Sequence, residues 1–286
     1  MTSKELKIWQ TAPLPFQGQK RMFIQPFKKA LNEMMSKNKI DIIVDLFGGS
    51  GLLSHIAKRL HPDCRVIYND YDNFNKRLLN IDKTNMLLSD IRDLLGDYPR
   101  NKKIIEPFKK QIIKRIADEE NKGYVDYITL SASLLFAGKY AISLDELQKH
   151  TLYNTVKRFN YEVDSMLYLS GLEITSNDYQ LLFNQFKNMK NVLFFVDPPY
   201  LSTDTKSYNS DKYWKLADYL NVLNVLKDTN YIFFTSNKSS IIELCDWFSD
   251  NYKLINPLKD AQVEAHHNYV NGDTKSYIDY MIYKTK

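Results

Sequence analysis

The sequence is poor in cysteine. Its 286 residues include two, Cys64 and Cys245, which lie far apart and lack the spacing of metal ligands. A disulfide framework or a zinc-binding module needs more cysteines at closer spacing, whereas isolated thiols are typical of a reducing compartment. We therefore expect two unpaired thiols, a cytoplasmic location and no bound metal.

Long apolar runs are also missing. No stretch approaches the roughly 20 residues that a membrane-spanning helix needs, and residues 1–10 lack the apolar core of a signal peptide. Hydrophobic residues make up 44% of the chain and charged residues 26%, which is typical of a globular protein. We expect a soluble protein with no membrane partner, built as one large domain or as a domain with a subdomain.

Neither sign of charge dominates the chain. The formal net charge is +5, which is compatible with a polyanionic partner without being specific for one. Aromatic residues reach 13%, with 20 Tyr and 15 Phe. Most of these rings are expected in the core, and part of the excess could line a nucleobase site.

The first chemical pattern is a glycine-rich turn. Residues 40–46 predict a buried strand, residues 47–51 read Phe-Gly-Gly-Ser-Gly, and Leu52–Leu60 predicts a helix. This order opens a nucleotide-binding α/β unit. The turn is neither G-x-G-x-x-G nor a phosphate-binding loop, since no Lys-Ser or Lys-Thr follows the last glycine.

Two acidic residues accompany this turn. Asp45 precedes it, which favours a ligand with a cationic end, such as a sulfonium or amino group, over a pyrophosphate. Asp70 follows the next predicted strand, Arg65–Tyr68, about 20 residues after the turn, which is the spacing at which an acidic side chain binds ribose hydroxyls. The alternative is a generic tight turn in which both carboxylates are merely solvated.

The second chemical pattern is a double-proline corner. Residues 192–196 form an apolar run that predicts a strand buried on both faces, and Asp197-Pro198-Pro199-Tyr200 follows at once. Two prolines stop the strand and make a rigid corner at its carboxyl end, where open α/β sheets bind their ligands. A carboxylate, prolyl carbonyls and an aromatic ring can together hold a planar ring that carries an amino group. The alternative is a proline-rich turn with a solvated Asp and a surface Tyr.

A helical segment separates the two patterns. Helices are predicted over Lys76–Leu95, Glu106–Asn121, Leu144–Phe159 and Glu162–Tyr168. Short basic runs recur along this segment, which indicate either solvated helix faces or a surface that neutralises phosphates and reads base edges. Its position between the two site-forming halves of the sheet favours the second interpretation.

The remaining elements complete an α/β alternation. An earlier helix is predicted at residues 26–36, and Asp178 is predicted to cap a helix. The later predictions are strands Leu172–Thr175, Tyr231–Thr235, Tyr252–Ile255 and Tyr277–Tyr283, helices Tyr179–Met189, Tyr213–Lys227 and Ile241–Phe248, a substrate-contacting loop over residues 201–212, and a polar loop over residues 265–274.

Together the motifs carry a resemblance. F-x-G-x-G at Phe47–Gly51, Asp70 and D-P-P-Y at residues 197–200 occur in that order, and the chain resembles Dam-like DNA adenine-N6 methyltransferases of the alpha group. Phe16-Gln17-Gly18-Gln19-Lys20 resembles the family's aromatic-x-Gly-Gly-Lys segment near the cofactor, with Gln19 in place of the second glycine and Phe16 in place of the usual Trp.

The resemblance implies a Rossmann-like class I methyltransferase sheet with a helical target-recognition insertion. Residues 1–72 and 171–286 would form the catalytic domain that binds S-adenosylmethionine, and residues 73–170 would form the subdomain that binds double-stranded DNA. A monomer is expected, and a cognate restriction enzyme is a partner that the resemblance allows.

The resemblance also implies roles for single residues. The residues implied at the cofactor are Asp45, Phe47, Gly48, Gly49 and Gly51 at the methionine end, Asp70 at the ribose, Asp178 at the adenine amino group, and Phe16 and Lys20 nearby. Asp197 and the Pro198 carbonyl would accept hydrogen bonds from the target N6, Pro199 would complete the corner, and Tyr200 would stack on the flipped base.

Other activities stay open at this stage. A related corner could serve an RNA methyltransferase or a guanine-N2 methyltransferase, and a catalytically inactive module could keep the fold and hold nucleic acid. Cytosine-C5 methylation needs a nucleophilic cysteine, typically within Pro-Cys, and the chain contains no Pro-Cys dipeptide. An NAD-dependent dehydrogenase would need a different glycine spacing.

Overall fold

A seven-stranded sheet forms the centre of the protein. The computed structural model describes residues 7–136, 138–162, 164, 167–199, 214–253, 255–269 and 276–286. The strands are β1 Ile42–Asp45, β2 Arg65–Asn69, β3 Glu173–Thr175, β4 Val192–Val196, β5 Asn230–Ser236, β6 Gln262–Tyr269 and β7 Ser276–Lys284. Their order across the sheet is β3-β2-β1-β4-β5-β7-β6.

Ten α-helices surround this sheet in the described part of the chain. They are α1 Ile24–Lys37, α2 Leu52–Leu60, α3 Phe74–Leu79, α4 Ile81–Leu95, α5 Phe108–Glu120, α6 Tyr127–Leu134, α7 Leu144–Lys149, α8 Tyr179–Phe186, α9 Leu216–Leu226 and α10 Ile241–Tyr252. None of them is long and apolar enough to cross a membrane.

The sheet reverses its strand order between β1 and β4. Strands β1 to β5 run parallel to their neighbours, and β7 pairs antiparallel with β5 and with β6. In the β1–β4 register Asp45 lies opposite Phe195. The chain moves outward from β1 to β3 and returns to β4 on the other side, so the carboxyl ends of β1 and β4 flank the crevice where such sheets bind ligands.

Apolar side chains cover both faces of the sheet. One face packs against α1 and α2, with Phe27, Ile56 and Phe195 among its buried residues. The other packs against α8 and α9, with Leu182 and Val222 among its buried residues. Every residue of β4 is buried, because a central strand covered on both faces needs a continuous apolar run.

The segment between β2 and β3 contains five of the ten helices, α3 to α7, and forms a helical insertion between these strands. Their apolar core is continuous with Ala12, Leu14 and Tyr68 from the N-terminal segment and from β2. The buried pair Arg77–Asp126 strengthens this junction, since the Nε of Arg77 lies 3.0 Å from Asp126 and its Nη2 donates to the Pro15 carbonyl at 2.8 Å. The insertion therefore packs directly on the sheet and on the N-terminal segment.

The α/β class and the Rossmann-like sheet that the resemblance implied are confirmed. The helix Leu52–Leu60 and the strand at residues 192–196 begin and end where the sequence predicts. The single helix predicted over Lys76–Leu95 is wrong, because α3 and α4 are separate helices that meet at Asn80. The Asn80 side chain donates to the Lys76 carbonyl at 2.8 Å, a local bond that competes with the helical pattern.

Several other predictions within the insertion are wrong or incomplete. The helix predicted over Leu144–Phe159 ends at Lys149, and α6 was not predicted. The Asp126 side chain begins α6 by accepting a hydrogen bond from the Thr129 N–H at 3.0 Å. The prediction over Glu162–Tyr168 lies partly outside the described residues.

The edge of the sheet was also predicted wrongly. Tyr252, predicted to begin a strand, is the last residue of α10, and Ile255 is exposed. The strand β6 includes residues 265–269 of the predicted polar loop 265–274, and residues 270–274 lie outside the described residues. Among the described strands β6 pairs with β7 alone, and an edge strand tolerates polar side chains because much of it faces solvent. The loop predicted over residues 201–212 lies outside the described residues.

Replacement of Arg77 tests the buried junction. Arg77→Met leaves Asp126 buried without its counter-ion, and we expect a loss of about 3–5 kcal/mol in the free energy of unfolding, measured by urea titration. Arg65→Met is the control, because Arg65 and Glu173 form a half-exposed pair whose loss costs about 1 kcal/mol or less. Equal losses for the two variants would contradict a special role for the buried pair.

Candidate functional site

The glycine turn follows β1 directly. Gly49 and Gly51 have φ values of +49° and +71°, which a residue with a side chain adopts only with strain, and the Gly51 N–H donates to the Gly48 carbonyl at 2.7 Å. A Cβ on Gly48 would lie 2.3 Å from two ring carbons of Tyr68. The turn therefore needs glycine for its backbone conformation and for close packing on Tyr68.

Asp45, the last residue of β1, is buried beneath this turn. The Ser54 hydroxyl donates to its Oδ2 at 2.6 Å. Burial raises the pKa of Asp45 to about 7, the charge of Asp197 acts in the same direction, and the Ser54 hydrogen bond opposes them. Because burial disfavours the charged form, a cationic ligand beside Asp45 would restore its ionised form.

Asp70 follows β2, and its carboxylate accepts from the first two N–H groups of α3. Its Oδ1 accepts from the Phe74 N–H at 2.6 Å and from the Tyr68 hydroxyl at 3.0 Å, and its Oδ2 accepts from the Asn75 N–H at 2.9 Å. Burial raises the pKa of Asp70, and these bonds oppose the rise. Three of the roughly four lone-pair positions of the carboxylate are occupied, which leaves room for one further donor such as a ribose hydroxyl.

Asp197 begins the double-proline corner after β4. Its Oδ2 lies 2.6 Å from the Nζ of Lys20, so the structure places Lys20 at the corner rather than only at the glycine turn. Its Oδ1 is buried and has no hydrogen-bond partner among the described residues. Burial raises the pKa of Asp197 and Lys20 opposes the rise. The corner thus holds one carboxylate oxygen that a ligand donor could satisfy.

The prolines support this carboxylate. Pro198 is buried, and the Pro199 carbonyl accepts a hydrogen bond from the Tyr219 hydroxyl of α9. That hydrogen bond joins the corner to α9, which packs on the same face of the sheet as α8. Tyr200, predicted to stack on the target base, lies outside the described residues.

The N-terminal segment brings two predicted residues to the crevice. The Phe16 ring lies 3.0 Å from the position of a Cβ on Gly49 and makes an edge contact with Phe74, at 5.8 Å between ring centroids. Gln19, which replaces a glycine of the family pattern, folds the segment: its Oε1 accepts from the Ala12 N–H at 3.0 Å. The resulting loop presents Phe16 to the glycine turn and Lys20 to the corner.

Asp178 caps α8, as the sequence predicts. Its Oδ1 accepts from the Gln180 N–H at 2.8 Å, and the side chain is exposed at the same edge of the sheet. Nearby, the Phe47 ring packs on Tyr179 at 4.8 Å and on Trp214 at 5.8 Å between ring centroids. This aromatic group gives the crevice an apolar wall beside Asp178.

The sequence did not indicate two further residues of the crevice, Asn69 and Tyr168. Asn69 ties β2 to two loops, since its Nδ2 donates to the Leu46 and Asn177 carbonyls, both at 2.9 Å. Tyr168, from the end of the insertion, is buried, and its hydroxyl has no partner among the described residues. Burial raises the pKa of that hydroxyl, and the charge of Asp45 adds to the rise. No local pattern could have assigned these residues, because their partners are distant in sequence.

His55 fixes the position of Tyr168. The Trp9 N–H donates to its Nε2 at 3.0 Å, so the ring proton lies on Nδ1, which donates to the Tyr168 carbonyl at 2.6 Å. Burial lowers the pKa of His55 to about 4. A neutral imidazole therefore joins α2, the N-terminal segment and the end of the insertion.

The predicted site residues that the structure describes lie at one edge of the sheet. Asp45 and Asp197 lie at the carboxyl ends of neighbouring parallel strands, and their charges interact. No group of three or more potential metal ligands occurs among the described His, Cys, Asp and Glu residues. The Rossmann-like sheet, with a glycine turn after β1 and an Asp-Pro-Pro corner after the neighbouring β4, is the type of fold found in class I methyltransferases.

Comparison with known proteins narrows this class. The profile of the D12 class N6 adenine-specific DNA methyltransferase family matches residues 16–263, and the chain belongs to that family. The chain is also 38% identical over 289 residues to a Haemophilus influenzae protein named "Putative methyltransferase", with 99% of this chain and 95% of that protein covered.

A methyl group on Gly48 tests the turn. Gly48→Ala would force a Cβ into the Tyr68 ring, and we expect a loss of about 2–3 kcal/mol in the free energy of unfolding, as for overpacking in a core. Ser50→Ala, in the same turn, adds no atom and is expected to cost less than about 1 kcal/mol. Urea titration of both variants measures the free energy of unfolding. A wild-type free energy of unfolding for Gly48→Ala would show that the turn can move away from Tyr68.

Proposed function

We propose that this protein transfers a methyl group from S-adenosylmethionine to N6 of an adenine extruded from double-stranded DNA. The observation that carries the proposal is the buried Oδ1 of Asp197, which has no hydrogen-bond partner within the described part of the chain and lies at the corner after β4, next to β1 and its glycine turn. A buried acceptor without a donor costs free energy, and an amino group of a bound base would supply that donor. Membership of an adenine-specific family supports adenine as the base.

The corner would activate a poor nucleophile. The N6 lone pair of adenine is delocalised into the ring, so the amine must become more tetrahedral before it can attack. Asp197 Oδ1 and the Pro198 carbonyl would each accept a hydrogen bond from one of the two N6–H groups, and these two hydrogen bonds would favour the tetrahedral geometry. Because no covalent enzyme intermediate is needed, positioning of N6 against the methyl donor accounts for much of the remaining rate.

The residues around the glycine turn fit the cofactor. Asp45 would hold its ammonium group, Asp70 its ribose and Asp178 its adenine amino group, with Phe16, Lys20 and the backbone of residues 47–51 around them. When bound, S-adenosylmethionine supplies an activated methyl group together with its own leaving group. The raised pKa of Asp45 supports this assignment, since a buried carboxyl without a counter-ion is suited to a cation.

The insertion, residues 73–170, would bind the DNA. The target atom is inaccessible within a duplex, so the base must leave the helical stack. Phe159 is 80% exposed and follows Lys157 and Arg158, which are both exposed. Adjacent cations would contact phosphates, and the ring could fill the gap that the extruded base leaves.

A methyl-transfer assay tests the proposal. The protein is incubated with S-adenosylmethionine labelled in its methyl group and with duplex DNA or with RNA of the same sequence, and the modified base is identified by nucleoside analysis. We expect label in N6-methyladenine of the duplex alone. Label in RNA or in guanine would establish the alternative substrates, and binding without transfer would show an inactive module.

Removal of the Asp197 carboxylate separates chemistry from cofactor binding. Asp197→Ala deletes an acceptor for N6, and we expect methyl transfer to fall about a hundredfold or more. The affinity for S-adenosylmethionine, measured by calorimetry, should change little. Asp63→Ala, an exposed position just before β2 and at the opposite edge of the sheet, is the control. Undiminished transfer by Asp197→Ala would remove Asp197 from the mechanism.

Cofactor affinity should depend on pH through Asp45. Its pKa in the free protein is raised to about 7, and only the ionised form attracts an ammonium group. The association constant should therefore fall by up to about tenfold for each pH unit below 7, and it should level off just above pH 7, before the cofactor's own amino group loses its proton at a pKa of about 7.7–8.0. Calorimetry from about pH 5.5 to about pH 7.5 measures the trend, and Asp45→Asn should flatten it. A pH-independent wild-type affinity would contradict the role of Asp45.

A further inference from the structure

Asp279 lies on β7, outside the residues assigned to the site so far. In the sheet register it lies opposite Ser236, the last residue of β5, and opposite His266 of β6. The end of β5 is next to the end of β4, where Asp197 begins the corner. Asp279 is therefore at the same edge of the sheet as the Asp197 carboxylate.

The Asp279 carboxylate is incompletely paired. Its Oδ2 accepts from the Asn268 Nδ2 at 2.8 Å, while its Oδ1 is buried and has no partner in the described part of the chain. Burial raises the pKa of Asp279, and Asn268, Lys20, His266 and Lys238 oppose the rise.

The groups facing Asp279 come from several elements. Lys20 comes from the N-terminal segment, and His266 and Asn268 come from β6. Lys238 lies in the loop after β5, and Asp197 lies at the corner after β4. On β7 itself Tyr277 also interacts with Asp279. Burial raises the pKa of the Tyr277 hydroxyl, and the charge of Asp279 adds to the rise.

Lys20 forms an ion pair with Asp197 and acts on Asp279 through its charge. Its Nζ lies 2.6 Å from Asp197 and 5.7 Å from the centre of the Phe234 ring. Phe234 is paired with Met281 on the face of the sheet that α1 covers. Because Asp279 is two residues from Met281 on the same strand, its side chain lies on that face too. The Lys20 charge acts on both carboxylates, and the Asp279 charge acts on Asp197.

We propose that Asp279 is a positioning residue for methyl transfer, which shares the Lys20 ammonium with Asp197 and so keeps Asp197 a strong acceptor for the target amine. The inference rests on the function proposed above. Without Asp279, the ammonium would belong to Asp197 alone and would draw electron density from the oxygens that accept N6–H.

A purely structural role does not explain a carboxylate here. An oxygen buried without a donor destabilises the fold, and an amide of the same shape could keep a bond to Asn268 without carrying a charge. Asp279→Asn should therefore leave the midpoint of thermal unfolding unchanged or raise it, and any loss of activity must come from the missing charge.

The test compares three variants of the full-length protein at saturating cofactor and duplex DNA. Asp279→Asn should lower kcat by up to about tenfold, because Asp197 becomes a weaker acceptor for the target amine. It should also move the acid limb of the kcat profile to lower pH, because the negative charge that raises the pKa of Asp197 is gone. Asp279→Glu should restore both. Glu264→Gln, which removes one charge from the same hairpin, should behave as wild type.

A second measurement does not depend on activity. The titration of Asp197 is followed by carbon NMR of protein labelled at aspartate, with Asp197→Asn assigning the signal, and it should shift to lower pH in Asp279→Asn. An unmoved titration overturns the inference whether or not the protein methylates DNA. If the wild-type protein transfers no methyl group but the titration of Asp197 still shifts in Asp279→Asn, the proposed function is wrong and the charge sharing is established.

Discussion

The crevice depends on the electrostatic balance among carboxylates buried at one edge of the sheet. Asp45 ends β1 and Asp197 follows β4, and burial opposes the charge on both. Lys20 is bonded to Asp197 at 2.6 Å and compensates only part of this negative charge. Such a site is suited to a ligand that brings positive charge and N–H donors, which are the properties of a sulfonium cofactor and of an adenine amino group.

The position of Lys20 depends on parts of the chain far from it in sequence. Gln19 folds the loop around Ala12, Arg77 of the insertion holds the Pro15 carbonyl, and His55 of α2 holds the Trp9 backbone. The N-terminal segment is thus fixed between the sheet and the insertion. The sheet and the insertion share one apolar core where they meet. Packing contacts therefore cross the domain boundaries predicted at residues 72 and 170.

Sequence reasoning succeeded where one local pattern decides the structure. The apolar run of β4 needs burial on both faces, and two prolines stop it whatever surrounds them. It failed where a distant partner decides. The polar strand β6 exists because β7 pairs with it, and Tyr252, predicted to begin a strand, instead ends α10.

The sequence by itself determined the α/β order, the two bends and their residue types, because glycine, proline and apolar runs act on the backbone locally. Only the tertiary structure decided which charges meet. Lys20 and Asp197 are 177 positions apart and Asp279 lies on the last strand, yet strand order brings them to one edge. Burial there sets the charge balance of the site, and burial is a property of the packed chain rather than of any segment.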